Sequence, residues 1–548
     1  MSLSARLLRR IAKLPKSNVR VVEERDLRIS MPDGAVLLAD RLYPSHDSAA
    51  PILLVRSPYG RRGIGAAPAA LAAEQGYQVV TVSSRGTFGS TGKWVPFRDE
   101  EADGRAVLEW LEQQPWFSGA VGTISGSYCG LTQWAVAENP PTWLKAMVPG
   151  VTSSYFRAIF FPGGSFGLAN AVTWLGGVDN QELPMGKRLV RTVRAMTGAR
   201  RACDALPLAE ADIAAVGHPV GWYRDWLDHE DPDDPWWSAV DFSGAATTMP
   251  PTSLIAGWYD VFGREQLLDY RRLRDAGRDV RLTVGPWTHS NPAGGSTVLR
   301  ETLDWMDVHL RGRSPQRTAP VRIFVMGAKR WIDLPEWPPP AQNQDFYLHA
   351  DGRLATAEPV QSSPDTYRYD PADPTPSVGG ASLHAFDSGA KDNRKLEARS
   401  DVLTYTTDVL DDDVTVIGEL STTLHVQSSL DHADFFVRLC DVNPRGRSTN
   451  ISDGVVRLTP VVGERNQDGS LCVTVGMFPT AYTFRRGHRI RLQVSSGAHP
   501  LYARNPGTGE PLAKATTLVA ADQQVFHDPA RPSAITLPVL VEPVRPLS

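Results

Sequence analysis

Cysteine is scarce in this chain, long apolar runs are missing, and the first sixteen residues contain no acid; each shortage closes off a class of protein. Four cysteines occur in 548 residues. Cys129, Cys203, Cys440 and Cys472 are widely spaced and form neither a paired zinc or redox motif nor a disulfide framework, so a reducing compartment and a cytoplasmic location are expected. No segment approaches the ~18 consecutive apolar residues that cross a bilayer. Met1 to Lys16 carries Arg6, Arg9, Arg10, Lys13 and Lys16 but lacks the uninterrupted apolar stretch of a secretory signal. Leu3, Leu7, Ile11 and Leu14 recur there at helical spacing. Such a helix lies on a membrane surface or packs on the protein's own body, and the second is the commoner use of an amphipathic helix.

An excess of positive charge is also lacking. The formal net charge is −4, which gives no global field to draw in a polyanion, so nucleic acid is not an expected partner. No His-Glu-x-x-His or Cys-x-x-Cys signature is present, and neither Asp228–Asp234 nor Asp411–Asp413 has the spacing of a calcium loop. Gly86–Gly92 is not followed by the Gly-Lys-Ser/Thr of a phosphate loop. No metal or cofactor is therefore expected.

What is present is the makeup of a multidomain globular protein: 42% hydrophobic and 22% charged residues, over a length that calls for about three units. Short apolar runs at Ile52–Arg56, Gln78–Ser84, Val121–Ser125 and Leu144–Pro149 predict strands. Between the second and third, Ala102, Ala106, Val107, Trp110 and Leu111 share one face of a helix over 99–114. Strand, helix and strand in that order predict a parallel α/β sheet. From Ser153 to about Ala245 the strand signals stop, and an aromatic, Gly- and Pro-interrupted helical segment takes over. The alternation resumes with Ser253–Ala256, a helix over 262–275, Val280–Val284 and a helix over 296–311. The Pro335–Pro340 stretch marks a boundary. Beyond it, short β-branched or aromatic runs such as Thr422–Val426, Phe435–Leu439 and Ile490–Val494, separated by Asp, Asn and Gly, predict a β-sandwich or jelly roll. The expected organisation is an α/β core over 1–150, a helical cap insertion over 151–245, the rest of the core over 246–340 and a jelly-roll domain over 341–548.

Chemistry is concentrated in Val121-Gly-Thr-Ile-Ser-Gly-Ser-Tyr-Cys-Gly130. A strand that turns sharply into a helix needs small residues around a nucleophile, a need met by Gly126 and Gly130. That turn would lift the Ser127 hydroxyl clear of the sheet and aim the Tyr128 N–H at a developing oxyanion. The usual elbow has glycine two residues before the serine, whereas this chain has Ser125. A hydroxyl needs a general base, and the base needs a carboxylate to hold its tautomer. Gly257-Trp-Tyr-Asp260 and Gly285-Pro-Trp-Thr-His289 each follow a predicted strand, where open α/β sheets assemble their sites. Asp260 and His289 are therefore the candidates; the alternatives, Asp260 as a cap of the next helix and His289 as a surface-loop residue, are less expected because their joint placement would be a coincidence.

Those strings, with Arg56-Ser-Pro-Tyr59, Arg85-Gly86, Gly89-Ser-Thr-Gly92, Glu101-Ala-Asp-Gly104 and, further on, Asp434–Val442, Asp453-Gly454 and Gly487–Ser496, resemble the cocaine esterase and X-prolyl dipeptidyl-peptidase family of α/β hydrolases along nearly the whole chain. The resemblance implies an α/β-hydrolase core, an inserted helical cap and a C-terminal jelly roll. It also implies a Ser127, Asp260 and His289 triad that needs no cofactor. Tyr59 matches the tyrosine whose hydroxyl is the second oxyanion donor, beside the Tyr128 N–H. Phe262 matches an acyl-pocket aromatic, and Trp174 in the cap is a further match. Ser83 departs from the aspartate usual at its position.

The expected activity is hydrolysis of a small-molecule ester or amide through an acyl-enzyme. A dipeptidyl-peptidase is the alternative, and it would need an acid such as Asp179 or Glu182 to anchor the substrate amine. A non-catalytic ligand-binding protein is the rival from another class. The oligomeric state is open, with a homodimer as one option.

Overall fold

The computed structural model describes residues 9–10, 14, 19–62, 67–184, 186, 200–383 and 387–540. A ten-stranded sheet organises the first 334 residues, with strands β1 (Val21–Ser30), β2 (Val36–Pro44), β3 (Ile52–Ser57), β4 (Gln78–Ser83), β5 (Val121–Gly126), β6 (Leu144–Gly150), β7 (Thr252–Tyr259), β8 (Val280–Thr288), β9 (Val321–Val325) and β10 (Arg330–Leu334). Their order across the sheet is β1-β2-β4-β3-β5-β6-β7-β8-β9-β10. The run from β4 to β9 is parallel, and β1, β2 and β10 pair antiparallel at the two edges. Every residue of β7 is buried, which explains its nearly unbroken apolar sequence: a central parallel strand is covered on both faces.

Helices α1 (Ala67–Glu74), α2 (Glu100–Glu112) and α3 (Tyr128–Trp134) belong to the first part of the core, α4 (Leu168–Asp179) and α5 (Gly221–Asp228) to the segment between β6 and β7, and α6 (Gly263–Asp275) and α7 (Pro292–Arg311) to the second part. Helix α2 starts with Glu100, Glu101 and Asp103, negative charges that suit the positive end of its dipole, and buries Val107, Leu108 and Leu111. The segment between β6 and β7 is helical, and its aromatic residues form a cluster of their own with Phe97, Tyr128 and Phe262 of the core. Because β6 and β7 are parallel neighbours, this long excursion leaves the carboxyl end of β6, the edge at which β5 also terminates, and crosses to the opposite edge to enter β7.

Fifteen further strands from Gln342 to Val539, largely antiparallel, make the C-terminal domain. The hydrophobic core runs without interruption from the α/β sheet into this domain. Arg438 and Asp453 form a buried ion pair at 3.0 Å, and Arg457 holds Asp434 at 2.8 Å beside Ser165 of the segment between β6 and β7. Asp434, Arg438 and Asp453 of the last domain's motifs are thus engaged in ion pairs.

Of the N-terminal helix expected from Leu3 to Leu14, Leu3, Leu7 and Ile11 lie outside the described residues. Leu14 packs against a core cluster, and Arg9 pairs with Glu74 of α1 at 3.3 Å. No helix among the described residues is long and apolar enough to cross a membrane. Strands β1, β2, β9 and β10 are not among those the sequence predicts; they form the two flanks of the sheet, two at each end, and charged residues interrupt in each the apolar run that marks a central strand. The helix expected to open on Phe262 begins at Gly263.

Candidate active site

Strand β5 ends in a turn whose backbone is sharply constrained. Ser127 adopts φ 59° and ψ −133°, and Ser125 lies at φ 115°, both on the side of φ that L-residues avoid. The glycine missing from the elbow is thus replaced by a serine that takes up a glycine-like backbone. The two glycines that remain are required sterically: a Cβ on Gly126 would lie 2.7 Å from the Gly150 carbonyl oxygen, and one on Gly130 would lie 2.5 Å from Thr152 Cγ2. The turn delivers Ser127 to the carboxyl edge of the sheet, directly before α3. The Tyr128 N–H opens that helix, where no helical carbonyl precedes it to accept its hydrogen.

Strands β7 and β8, adjacent in the sheet, bring the other two candidates to the same edge. Asp260 follows β7 and is completely buried, with Oδ1 accepting the Phe262 N–H at 2.9 Å. It therefore braces the turn ahead of α6 instead of capping that helix. His289 follows β8. Its Nδ1 lies 3.0 Å from Asp260 Oδ2, and its Nε2 lies 3.1 Å from Ser127 Oγ. A carboxylate can only accept, so the Nδ1 proton faces Asp260 and Nε2 is left to accept from the serine hydroxyl. Burial disfavours the charged imidazolium, but the charge and hydrogen bond of Asp260 outweigh it, and the His289 pKa lies above its ordinary value. Cys129 is no competing nucleophile, since burial pushes its thiol up to about 11.

Two residues beyond the end of β3 at Ser57, Tyr59 faces the same space. Its hydroxyl accepts a hydrogen bond from Trp174 Nε1 of α4 at 3.0 Å. The residue is 38% exposed, an exposure toward the cavity it lines. Its hydroxyl end is nevertheless enclosed, and burial raises the phenol pKa against the opposing hydrogen bonds of Trp174 and Ser127. Tyr128 is locked from behind: its phenol donates to Glu100 Oε1 at 2.8 Å and accepts the Phe97 N–H at 2.9 Å. Glu100 in turn holds the Arg56 guanidinium in a buried ion pair. Burial raises the Glu100 pKa, with Arg56 opposing. One buried acid thus joins the backbone leading to Tyr59 with the residue after Ser127.

The cavity in front of Ser127 has a volume of about 430 Å³ and is walled by Phe97, Phe156, Phe160, Trp174, Phe262 and Leu383 among others. Phe262 also lies against the imidazole of His289, ring centroids 5.4 Å apart. No Asp or Glu is among the described residues that line it. Asp179 is engaged by His218 at 2.9 Å, and Glu182 accepts the Phe88 N–H at 3.0 Å. A larger cavity of about 680 Å³ between the segment joining β6 to β7 and the C-terminal domain touches none of Ser127, Asp260 and His289, so chemistry and not volume singles out the site. No group of metal-ligating side chains occurs among the described residues. Sequence reading missed Phe97, Phe156, Phe160 and the Glu100–Arg56 pair. Nothing in local spacing distinguishes a cavity wall from ordinary core, and only Arg56 stood in a string already singled out.

A parallel sheet with a serine on the strand-to-helix elbow and an imidazole and carboxylate at the neighbouring strand ends defines the class: a serine hydrolase on the α/β-hydrolase fold, with a mainly β C-terminal domain. Residues 33–291 match the profile of the X-Pro dipeptidyl-peptidase (S15 family), and residues 314–536 that of the X-Pro dipeptidyl-peptidase C-terminal non-catalytic domain. The chain is 34% identical over 567 residues to cocaine esterase of Rhodococcus sp. (strain MB1 Bresler), covering 94% of this chain and 98% of that one. It therefore belongs to the S15 family that includes cocaine esterase. Among solved structures, an α-amino acid ester hydrolase superposes with a TM-score of 0.80 at 23% identity, covering 96% of this chain and 98% of that one. An aminopeptidase from a marine sediment archaeon, Thaumarchaeota archaeon, gives 0.78 at 23% identity, with 96% and 97% covered. These two likenesses concern the fold alone.

Proposed function

We propose that this serine hydrolase cleaves small carboxylic esters, and more slowly amides, whose acyl group is apolar and uncharged. Ser127 Oγ attacks the carbonyl carbon as His289 Nε2 takes its proton, and Asp260 holds the imidazole by Nδ1 and stabilises its positive charge. The oxyanion of the tetrahedral intermediate accepts from the Tyr128 N–H and the Tyr59 hydroxyl. His289 then gives its proton to the departing alcohol or amine, and a water activated by the same imidazole releases the acid. The acyl group occupies the aromatic wall that includes Trp174 and Phe262. In domain terms we assign the core to 1–150 and 246–340, the cap to 151–245 and the jelly roll to 341–548. We place its action in the cytoplasm, the compartment that its few, widely spaced cysteines suggest.

The observation that carries this reading is the continuous contact from Asp260 through His289 to Ser127 Oγ at the floor of an aromatic cavity. A dipeptidyl-peptidase must hold a free α-amine near its acyl pocket, and both acids considered for that task, Asp179 and Glu182, are engaged with other groups. The relative named cocaine esterase acts, by its name, on an ester, in keeping with the same preference. Two measurements test the proposal. Wild-type protein should be labelled by a fluorophosphonate at one serine, and S127A should not; labelling of S127A at another serine removes the assignment. Turnover of p-nitrophenyl benzoate should exceed that of Gly-Pro and Ala-Pro anilides, and the opposite order would establish the peptidase alternative.

A further inference from the structure

We infer that Trp174 is a positioning residue for the oxyanion hole, acting through Tyr59, as well as a wall of the acyl pocket. This rests on the reading of Tyr59 as an oxyanion donor. A phenol oxygen carries one hydrogen, which rotates to suit its neighbours, and it also accepts. In isolation the Tyr59 hydrogen is free to point away from the reacting carbonyl. The Trp174 Nε1–H, 3.0 Å from the phenol oxygen, excludes the hydrogen from its own side and leaves it on the side of Ser127. Donation to the oxygen also polarises the O–H and strengthens it as a donor, as in any hydrogen-bond chain.

The indole is fixed by its surroundings. Its ring stacks on Phe97, Tyr128 and Trp226 with interplanar angles of 17°, 12° and 16°, and meets Trp222 edge-on at 5.0 Å. The N–H is therefore aimed before substrate arrives, the condition under which an electrostatic contact costs no reorganisation during reaction. Trp174 lies on α4 of the inserted segment, whereas Tyr59 follows β3 of the core. The donor geometry of the hydrolase core is thus completed by a side chain from the cap, which ties cap seating to turnover as well as to substrate fit.

The test is a double-mutant cycle of W174F and Y59F, read with p-nitrophenyl acetate and p-nitrophenyl benzoate. Phenylalanine retains one ring for the aromatic stack and removes the donor together with the second ring; the loss of wall is read separately, as a difference between the small acetate and the large benzoate. Loss of one hydrogen bond corresponds to a fall in kcat of about 2- to 12-fold, expected equally for both esters with KM changed less than about twofold. Y59F should lower kcat by about 10²- to 10³-fold, and adding W174F to Y59F should cost nothing more. W174H, which restores a planar N–H donor, should recover most of the loss. Folding is verified by Tm and by one labelled serine per chain. A W174F effect confined to the benzoate, or one as large in the Y59F background as in wild type, overturns the positioning role and leaves Trp174 as pocket wall alone. If Y59F turns over at the wild-type rate, the assignment of Tyr59 itself fails, a separate outcome.

Discussion

Replacing Asp260 by asparagine isolates the orienting role proposed for its carboxylate, because the two residues have the same shape. In the native site Oδ1 accepts the Phe262 N–H at 2.9 Å and Oδ2 faces His289 Nδ1 at 3.0 Å. An asparagine keeps its carbonyl oxygen toward Phe262, since the amide nitrogen cannot accept that N–H. Its NH2 group then faces Nδ1, so Nδ1 must become the acceptor and the imidazole proton moves to Nε2. A protonated Nε2 donates to Ser127 Oγ and cannot take its hydrogen. The wrong tautomer costs about 10⁴-fold in kcat, or about 5.5 kcal/mol of transition-state stabilisation. The backbone contact is retained, so Tm should change by no more than about 3 °C, on the order of 1 kcal/mol.

A second readout comes from the pH profile. The base works only when neutral, so activity rises with pH through the His289 pKa. That pKa stands above the ordinary 6.5 because Asp260 outweighs burial, which puts the acid limb of kcat/KM for the wild type above 6.5. In D260N burial acts without its counterweight, so the residual activity should have its acid limb below the wild-type position. Stopped-flow or steady-state hydrolysis of a p-nitrophenyl ester measures both quantities. A D260N enzyme within tenfold of wild type, or an acid limb that does not move, would refute the tautomer argument.

Two further substitutions probe the backbone. S125G should raise Tm: the strain of a non-glycine residue at φ 115° is about 1–3 kcal/mol, against about 0.5–1 kcal/mol for the extra freedom of glycine in the unfolded chain. The Gln133 bond to the Ser125 carbonyl at 3.0 Å is untouched by the change, and a lower Tm in thermal melts would show that the serine side chain holds the elbow. G163A should loosen the cap from the C-terminal domain. Its Cβ would lie 1.9 Å from the Val455 carbonyl oxygen at a residue with φ 56°, costing about 2–4 kcal/mol in overpacking and backbone strain; an unchanged Tm contradicts that packing.

The sequence by itself determined the parallel core, the helical interruption and the β-rich end. Each is written in a local period, apolar runs for covered strands and helical spacing for α2. It also determined which serine, acid and histidine to consider, because strand ends carry Ser127, Asp260 and His289. The partners of those side chains were decided only by the tertiary structure. Asp260 was readable as a helix cap until the adjacency of β7 and β8 brought it to His289, and Asp179 and Glu182 were readable as amine anchors until His218 and the Phe88 N–H engaged them. The bond from Trp174 to Tyr59 joins residues 115 positions apart, and the aromatic wall gathers residues from Phe97 to Phe262. Contacts at that separation depend on how the cap folds back over the rim, and no periodicity in the chain encodes them.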